Sequence, residues 1–185
     1  MPKFLDGHLL IATPAISDPR FMKSVIFLCS HDSNHAMGLV VNKIHEELNL
    51  EMLCESISFK TPRLTNNSII LNGGPMEVSR GFVLHSNDHI LPDSKVISND
   101  FAITCSTDLI KEIALGKGPV KYIITLGYAS WNSGQLESEL KQNSWLTMPA
   151  DPEIVFYSEI EKKWSKALGV LGVSPNQITD QFGYA

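Results

Sequence analysis

Histidines set beside carboxylates are the first chemistry this chain offers. His31-Asp32-Ser33-Asn34-His35 and His85-Ser86-Asn87-Asp88-His89 each place two imidazoles and a carboxylate within five residues, donor types that suit zinc. An i,i+4 histidine pair converges on one ion when it lies on a helix, whereas both segments read as polar turns leaving apolar strands. No metal site is assigned. Cys29 and His31 have the residue types of a nucleophile and a base, but positions i and i+2 of a strand merely share a face, so Cys29 reads as a buried structural thiol. No serine stands in G-x-S-x-G, and neither Gly116-Lys117-Gly118 nor Gly73-Gly74 carries the remaining spacing of a phosphate loop or dinucleotide fingerprint. Catalytic residues and cofactors are therefore assigned none.

Two segments offer binding chemistry instead. Asn72-Gly73-Gly74-Pro75 reads as a tight loop, with an anion-binding nest of exposed N–H groups as its alternative. The stretch from Gly127 to Glu137 follows the most apolar run and leads into an amphipathic pattern, a junction where ligands often sit. There Tyr128 and Trp131 offer an apolar wall with polar tips, and Gln135 offers both a donor and an acceptor. The alternative is that the two aromatics plug the end of the core.

The elements that must position these residues follow from periodicity. Short apolar runs predict strands at His8–Thr13, Ser24–Ser30, Met37–Asn42, Ser68–Leu71, Gly81–His85, Phe101–Cys105, Val120–Leu126 and Ile154–Tyr157. Helical patterns fall at Glu46–Ser56, Asp108–Leu115, Ser133–Trp145 and Ser158–Leu168. Gly116 suits the left-handed position that ends the second helix, Ser133 can cap the third, and Glu137 can pair with Lys141. Because strands do not alternate strictly with helices, the expected class is α+β: a mixed, largely antiparallel sheet covered by about four helices. One compact domain over residues 1–185 is expected, with residues 44–67 as a candidate inserted subdomain.

At 185 residues, 43% hydrophobic and 19% charged, the composition is ordinary for one globular domain. The first apolar run breaks at Thr13-Pro14, too short for a secretory leader, and no run reaches the ~18 residues of a membrane span. Cys29, Cys54 and Cys105 form an odd set without CxxC spacing and read as reduced core thiols. A cytoplasmic protein is expected, with no membrane contact.

These segments resemble the YqgE/AlgH family of small bacterial proteins. The resemblance rests on Gly7-His8-Leu9-Leu10-Ile11-Ala12 with Pro14; Asp18-Pro19-Arg20-Phe21 with Ser24-Val25-Ile26; and His31 before Ala36-Met37-Gly38-Leu39-Val40-Val41-Asn42. It continues through Gly73-Gly74-Pro75, Arg80-Gly81-Phe82-Val83-Leu84-His85, Gly127-Tyr128-Ala129-Ser130-Trp131, Gly134-Gln135-Leu136-Glu137 and Trp145-Leu146. His35, Ser130 and Tyr184 depart from the family pattern, which more often has glycine, glycine and histidine there. Since His35 replaces a glycine, a paired-histidine metal site is no family property. The resemblance implies an α+β fold, no required cofactor and no established activity; some members are labelled transcriptional regulators from genetic effects.

The polar motif residues His31, Asn42, Arg80, His85, Tyr128, Trp131 and Gln135 all stand at or near strand ends, a placement a core-forming role does not require. They are expected to meet in one cleft, with Gly73 and Gly74 at its rim and Arg80 as an anion-seeking fork, suited to a small polar ligand or a peptide of a protein partner. The leading reading is a noncatalytic regulatory or binding protein; the alternative is a small cofactor-independent enzyme with a histidine general base. A formal charge of −5 disfavours direct DNA binding, because affinity for DNA comes largely from phosphate neutralisation. Accordingly, duplex DNA at physiological salt should bind no more tightly than micromolar; a submicromolar titration with a steep salt slope would overturn this.

Overall fold

A computed structural model of the chain describes residues 4–60 and 68–173. Residues 61–67 of the candidate insertion, and Tyr184, lie outside the described residues. The chain begins with the strands β1 (His8–Ala12), β2 (Val25–His31) and β3 (His35–Val40), then β4 (Ile44–Asn49), which runs straight into α1 (Leu50–Ser56). Next come β5 (Ile69–Asn72), β6 (Met76–His85), β7 (Lys95–Val96), β8 (Ala102–Thr104) and α2 (Thr107–Ala114). The rest is β9 (Tyr122–Asn132), α3 (Gln135–Lys141), β10 (Trp145–Pro149), a π-helical turn at Glu153–Tyr157, a 3-10 turn at Ile160–Lys162 and α4 (Lys163–Val170).

The ten strands form one sheet in the order β10-β1-β2-β3-β9-β6-β8-β7, with β5 on β9 and β4 on β5. Every pair is antiparallel except β5–β9. β1, β2 and most of β9 are buried on both faces, which is why they read as continuous apolar runs, whereas β4, β7 and the first half of β6 are largely exposed. In β1, Leu9 and Ile11 join the cluster covered by the π turn and α4, while Leu10 and Ala12 join a second cluster under α3. A third cluster lies under α1 and α2 and includes Leu53, Ile110, Ile113 and Ile124. The expected α+β class is thus observed.

Three local expectations are corrected. Ile154–Tyr157 is helical and not a strand: Pro152 fixes a helical φ and the Asp151 carboxylate accepts from the Glu153 N–H at 2.8 Å, so an Asp-Pro start outweighs the β-branched composition. Residues 46–49 continue β4, and the helix waits for Asn49, whose side chain accepts from the Met52 N–H. The third helix stops at Lys141, because Asn143 turns left-handed (φ 56°) and Trp145 opens β10 along β1. By contrast α2 ends as expected. Gly116 is left-handed (φ 72°), and the N–H groups of Gly116 and Lys117 return to the carbonyls of Ile113 and Glu112.

β9 holds the sheet together by changing partners. Its first half pairs with β5 on one side, through Ile124, Thr125 and Leu126, and its second half pairs with β3 on that same side. At the changeover the Gly73 N–H donates to Leu126 O (2.7 Å) and Gly73 O accepts from Val40 N–H (2.8 Å), tying all three strands together. A Cβ on Gly73 would run into Gly127 O and the Thr125 side chain, and one on Gly74 into the Tyr128 backbone. Gly127 itself is left-handed, at φ 72°. Overpacking against backbone has no soft relief, so Gly73→Ala should cost about 3 kcal/mol in chemical denaturation. Gly169→Ala, where a Cβ in α4 meets nothing within 4 Å, should instead be neutral or add up to about 1 kcal/mol.

Candidate functional site

The second half of β9 and the start of α3 carry three of the expected binding residues, Tyr128, Trp131 and Gln135, and cavities open around them. One, of about 430 Å³, is enclosed by the Ala15–Phe21 loop, Pro75-Met76, and Trp131, Gln135, Glu139 and Trp145. Another, of about 410 Å³, is lined by Arg80, Phe82, Lys95, Cys105 and Tyr128, with Cys29 and Met37. Ser130 belongs to both linings. A smaller cavity of about 290 Å³ lies along Pro19–Phe21, Lys43 and Gly74-Pro75.

Arg80 reaches its pocket because β6 is bulged. Met76 faces Tyr128 and Gly81 faces Leu126, so five steps along β6 match two along β9. Within the bulge Glu77 takes a positive φ of 41°, and its carboxylate accepts from Arg80 Nη1 (3.1 Å) and from the Tyr128 hydroxyl (3.1 Å). These hydrogen bonds, that from Arg80 foremost, hold the Glu77 carboxyl below its usual range, while the Glu77 contact raises Tyr128. The Arg80 guanidinium lies 5.3 Å from the Phe82 ring centroid. Lys95 adds a second cation, its Nζ donating to Cys29 O at 3.1 Å. Burial pushes the Cys29 thiol up; Cys105 is also raised by burial, against an opposing pull from Arg80. Cys105 is exposed at the pocket, a correction to its reading as a core thiol, since it lies just beyond the end of β8.

In the first pocket Trp131 and Gln135 converge on Glu139, one helical turn beyond Gln135. Both Trp131 Nε1 (2.9 Å) and Trp145 Nε1 (2.7 Å) donate to Glu139 Oε2, and Gln135 Nε2 donates to Oε1 (2.9 Å). Gln135 Oε1 also accepts from the Asn132 N–H. Ser133 does not cap α3: Gly134 holds the cap position with φ 73°, and the Ser133 hydroxyl donates to Ser33 O. Glu137 turns to His31 and forms no ion pair with Lys141.

The remaining residues expected in a single cleft serve the interior. The Leu5 N–H donates to His31 Nδ1 (3.1 Å), so Nε2 carries the proton and donates to Glu137 Oε1 (3.0 Å). Asn42 ties two strands, its Oδ1 accepting from Val25 N–H and its Nδ2 donating to Lys23 O, both at 2.8 Å. His85 is fully buried. Ser86 O can only accept, so Nδ1 donates to it (2.9 Å); Nε2 then accepts from Thr104 Oγ1 (2.8 Å), which accepts in turn from Ser94 (2.6 Å). Gly73 works through its backbone, as described. His31, Asn42, Gly73 and His85 therefore line none of these three cavities, and the expected single cleft divides into neighbouring pockets holding Trp131 with Gln135, Arg80 with Tyr128, and Gly74. Among the described residues no three His, Cys, Asp or Glu side chains gather as metal ligands; His35 lines the Arg80 pocket and pairs with Asp32 at 3.3 Å.

Sequence reasoning passed over Glu77, Lys95 and Glu139. Glu139 had a signal: two indole N–H donors near an amphipathic helix each need an acceptor. Glu77 and Lys95 had none, since a bulge and a two-residue strand leave no periodic trace.

The fold defines a class: a small α+β protein built on one curled, mostly antiparallel sheet, with cavities along its central strand. The AlgH-like family model matches residues 9–176, and the chain belongs to that family. Similar proteins include the UPF0301 proteins of Rhizobium meliloti, 40% identical over 98% of this chain and 94% of the relative, and of Rhodospirillum rubrum, 38% identical over 98% and 95%. The solution structure of the AlgH protein from Pseudomonas aeruginosa superposes with a TM-score of 0.82 at 40% identity, covering 100% of this chain and 98% of that one. A crystal structure of a Corynebacterium diphtheriae protein shares the fold at TM-score 0.71 and 20% identity, over 89% and 85% of the two chains.

Burial dominates His85 and pushes its pKa below the usual 6.5. The folded chain then binds fewer protons than the unfolded one just below that value, so the stabilisation is complete above pH 6.5 and is lost as pH falls through the lowered folded value. Denaturation midpoints should decline in that window for the native protein, and His85→Gln should remove that part of the slope; an unchanged difference curve would contradict it.

Proposed function

We propose that this is a noncatalytic binding protein of the cytoplasm, acting in regulation through a ligand or protein partner, and that its recognition site is the pocket under Arg80. The ligand is a small amphipathic anion, with an apolar body and a carboxylate-like head. The observation that carries this reading is Arg80 itself. A bulge in the sheet holds the guanidinium over the Phe82 ring at the mouth of a cavity floored by Met37, Phe82 and Ile103. Its hydrogen bonds, one N–H to exposed Glu77 and a contact with the Cys105 thiol, leave other donors of the fork for a ligand. Lys95 and Arg80 together outweigh the Asp93 carboxylate on the same lining, which keeps the preference for an anion, and Tyr128 supplies an aromatic wall.

Other features support the same reading. His31 and His85, the candidate general bases, have both ring nitrogens engaged inside the protein. The net charge of −5 favours action through a partner over contact with DNA, and three free thiols suit a reducing compartment.

Hexanoate and hexanol are the test probes, titrated against the full chain while backbone amide resonances are followed. Hexanoate should shift signals around Arg80, Phe82 and Tyr128 and hexanol should not. Arg80→Ala should weaken hexanoate about tenfold or more, since hydrogen bonds to a charged group are lost, with the melting temperature nearly unchanged because the pair with Glu77 is exposed. Equal binding of the two probes, or an unaffected Arg80→Ala variant, would overturn the reading.

A further inference from the structure

The pocket of about 430 Å³ beside α3 carries charge of the opposite sign. We propose that it is a second binding site, for an organic cation bearing a substituted ammonium or guanidinium group, with Glu139 as the anchoring carboxylate.

Glu139 is half-buried and held by three neutral donors, the two indole N–H groups and the Gln135 amide. Such donors carry no charge of their own, so they orient the carboxylate without neutralising it. Among the described residues no lysine, arginine or histidine pairs with it. The other charges on the lining cancel one another: Arg20 grips Asp18 through Nε (3.0 Å) and Nη2 (2.6 Å), which keeps that guanidinium from Glu139. The pocket thus presents one uncompensated negative charge.

Its walls suit a cation with an apolar collar. Trp131 and Trp145 meet edge to face at 6.1 Å, and Phe21 meets Trp145 in the same way at 6.1 Å. Phe21, whose ring already has the Arg20 guanidinium 5.9 Å from its centroid, and Met76 line the cavity beside them, and the indole walls attract an alkylated cation. Two of the three contacts that orient Glu139 come from those tryptophans, so the charge and the apolar wall are built by the same residues. An anion would meet the carboxylate head-on. The site is independent of the Arg80 pocket in both residues and charge, touching it only at Ser130.

The test uses the full chain, choline and argininamide as cationic probes, and 3,3-dimethylbutanol as the neutral isostere of choline. Calorimetry and indole emission are the readouts. At least one cation should bind saturably, at least tenfold more tightly than the isostere, and Glu139→Gln should abolish that preference. Gln142→Lys, which sets an ammonium at the rim without touching the tryptophan network, should also suppress it and serves if Glu139→Gln fails to fold. Arg80→Ala should leave cation binding as it was. Absence of saturable binding by both cations, parity with the isostere, or full binding by Gln142→Lys overturns the proposal.

Discussion

Backbone lies directly on backbone where Gly73 and Gly74 cross Gly127 and Tyr128, and the sheet is organised around that contact. β9 can serve both β5 and β3 on one side because the chain between β5 and β6 tucks into the changeover without side chains in the way. Were the strands held further apart, Val40 could not bond to Gly73 while Gly73 bonds to Leu126. The two halves of the sheet would separate along that line. The same contact sets the register of the residues that follow on β9, so the pockets inherit their geometry from this glycine crossing.

Polar groups in the interior are spent on connection. His85, Asn42 and His31 each join segments far apart in sequence, and Lys163 does the same for the π turn: its Nζ donates to Val41 O (3.0 Å) and Val155 O (2.7 Å). Burial pushes that amine down to about 8, a cost tolerated because two carbonyls would otherwise go unpaired. At the pockets the balance is different. Arg80, Lys95 and Glu139 keep charge at a surface where solvent or a ligand can reach it, which separates the residues that hold the fold from those that present chemistry.

Much of this was legible in the sequence. Seven of the eight expected strands form, and α2 ends at Ala114, just before its Gly-Lys-Gly-Pro tail. Less visible were β4, whose helix-like spacing yields to pairing with β5, and β10, of which only Trp145 fell inside an expected element; both depend on tertiary pairing that no local window contains. For the site, Tyr128, Trp131, Gln135 and Arg80 stood out as polar residues near strand ends and all line pockets. His31, Asn42 and His85 gave the same signal for another reason: strand ends are also where a fold needs its polar ties. Sequence position cannot tell a tie from a contact, because the difference lies in whether the hydrogen bonds close inside the protein.

The central place of β9 also governs how the chain can assemble. Its neighbours β3, β5 and β6 all precede it in sequence, and β1 finds its outer partner, β10, later still. During synthesis the first hundred or so residues therefore emerge as a meander and a group of strands with an open edge on each side of the missing one. Non-local closure of this kind is slow. Until β9 leaves the ribosome and zips the halves together, the nascent chain exposes the apolar strand faces of β2, β3 and β6, and it is in that interval that aggregation or chaperone capture competes with folding.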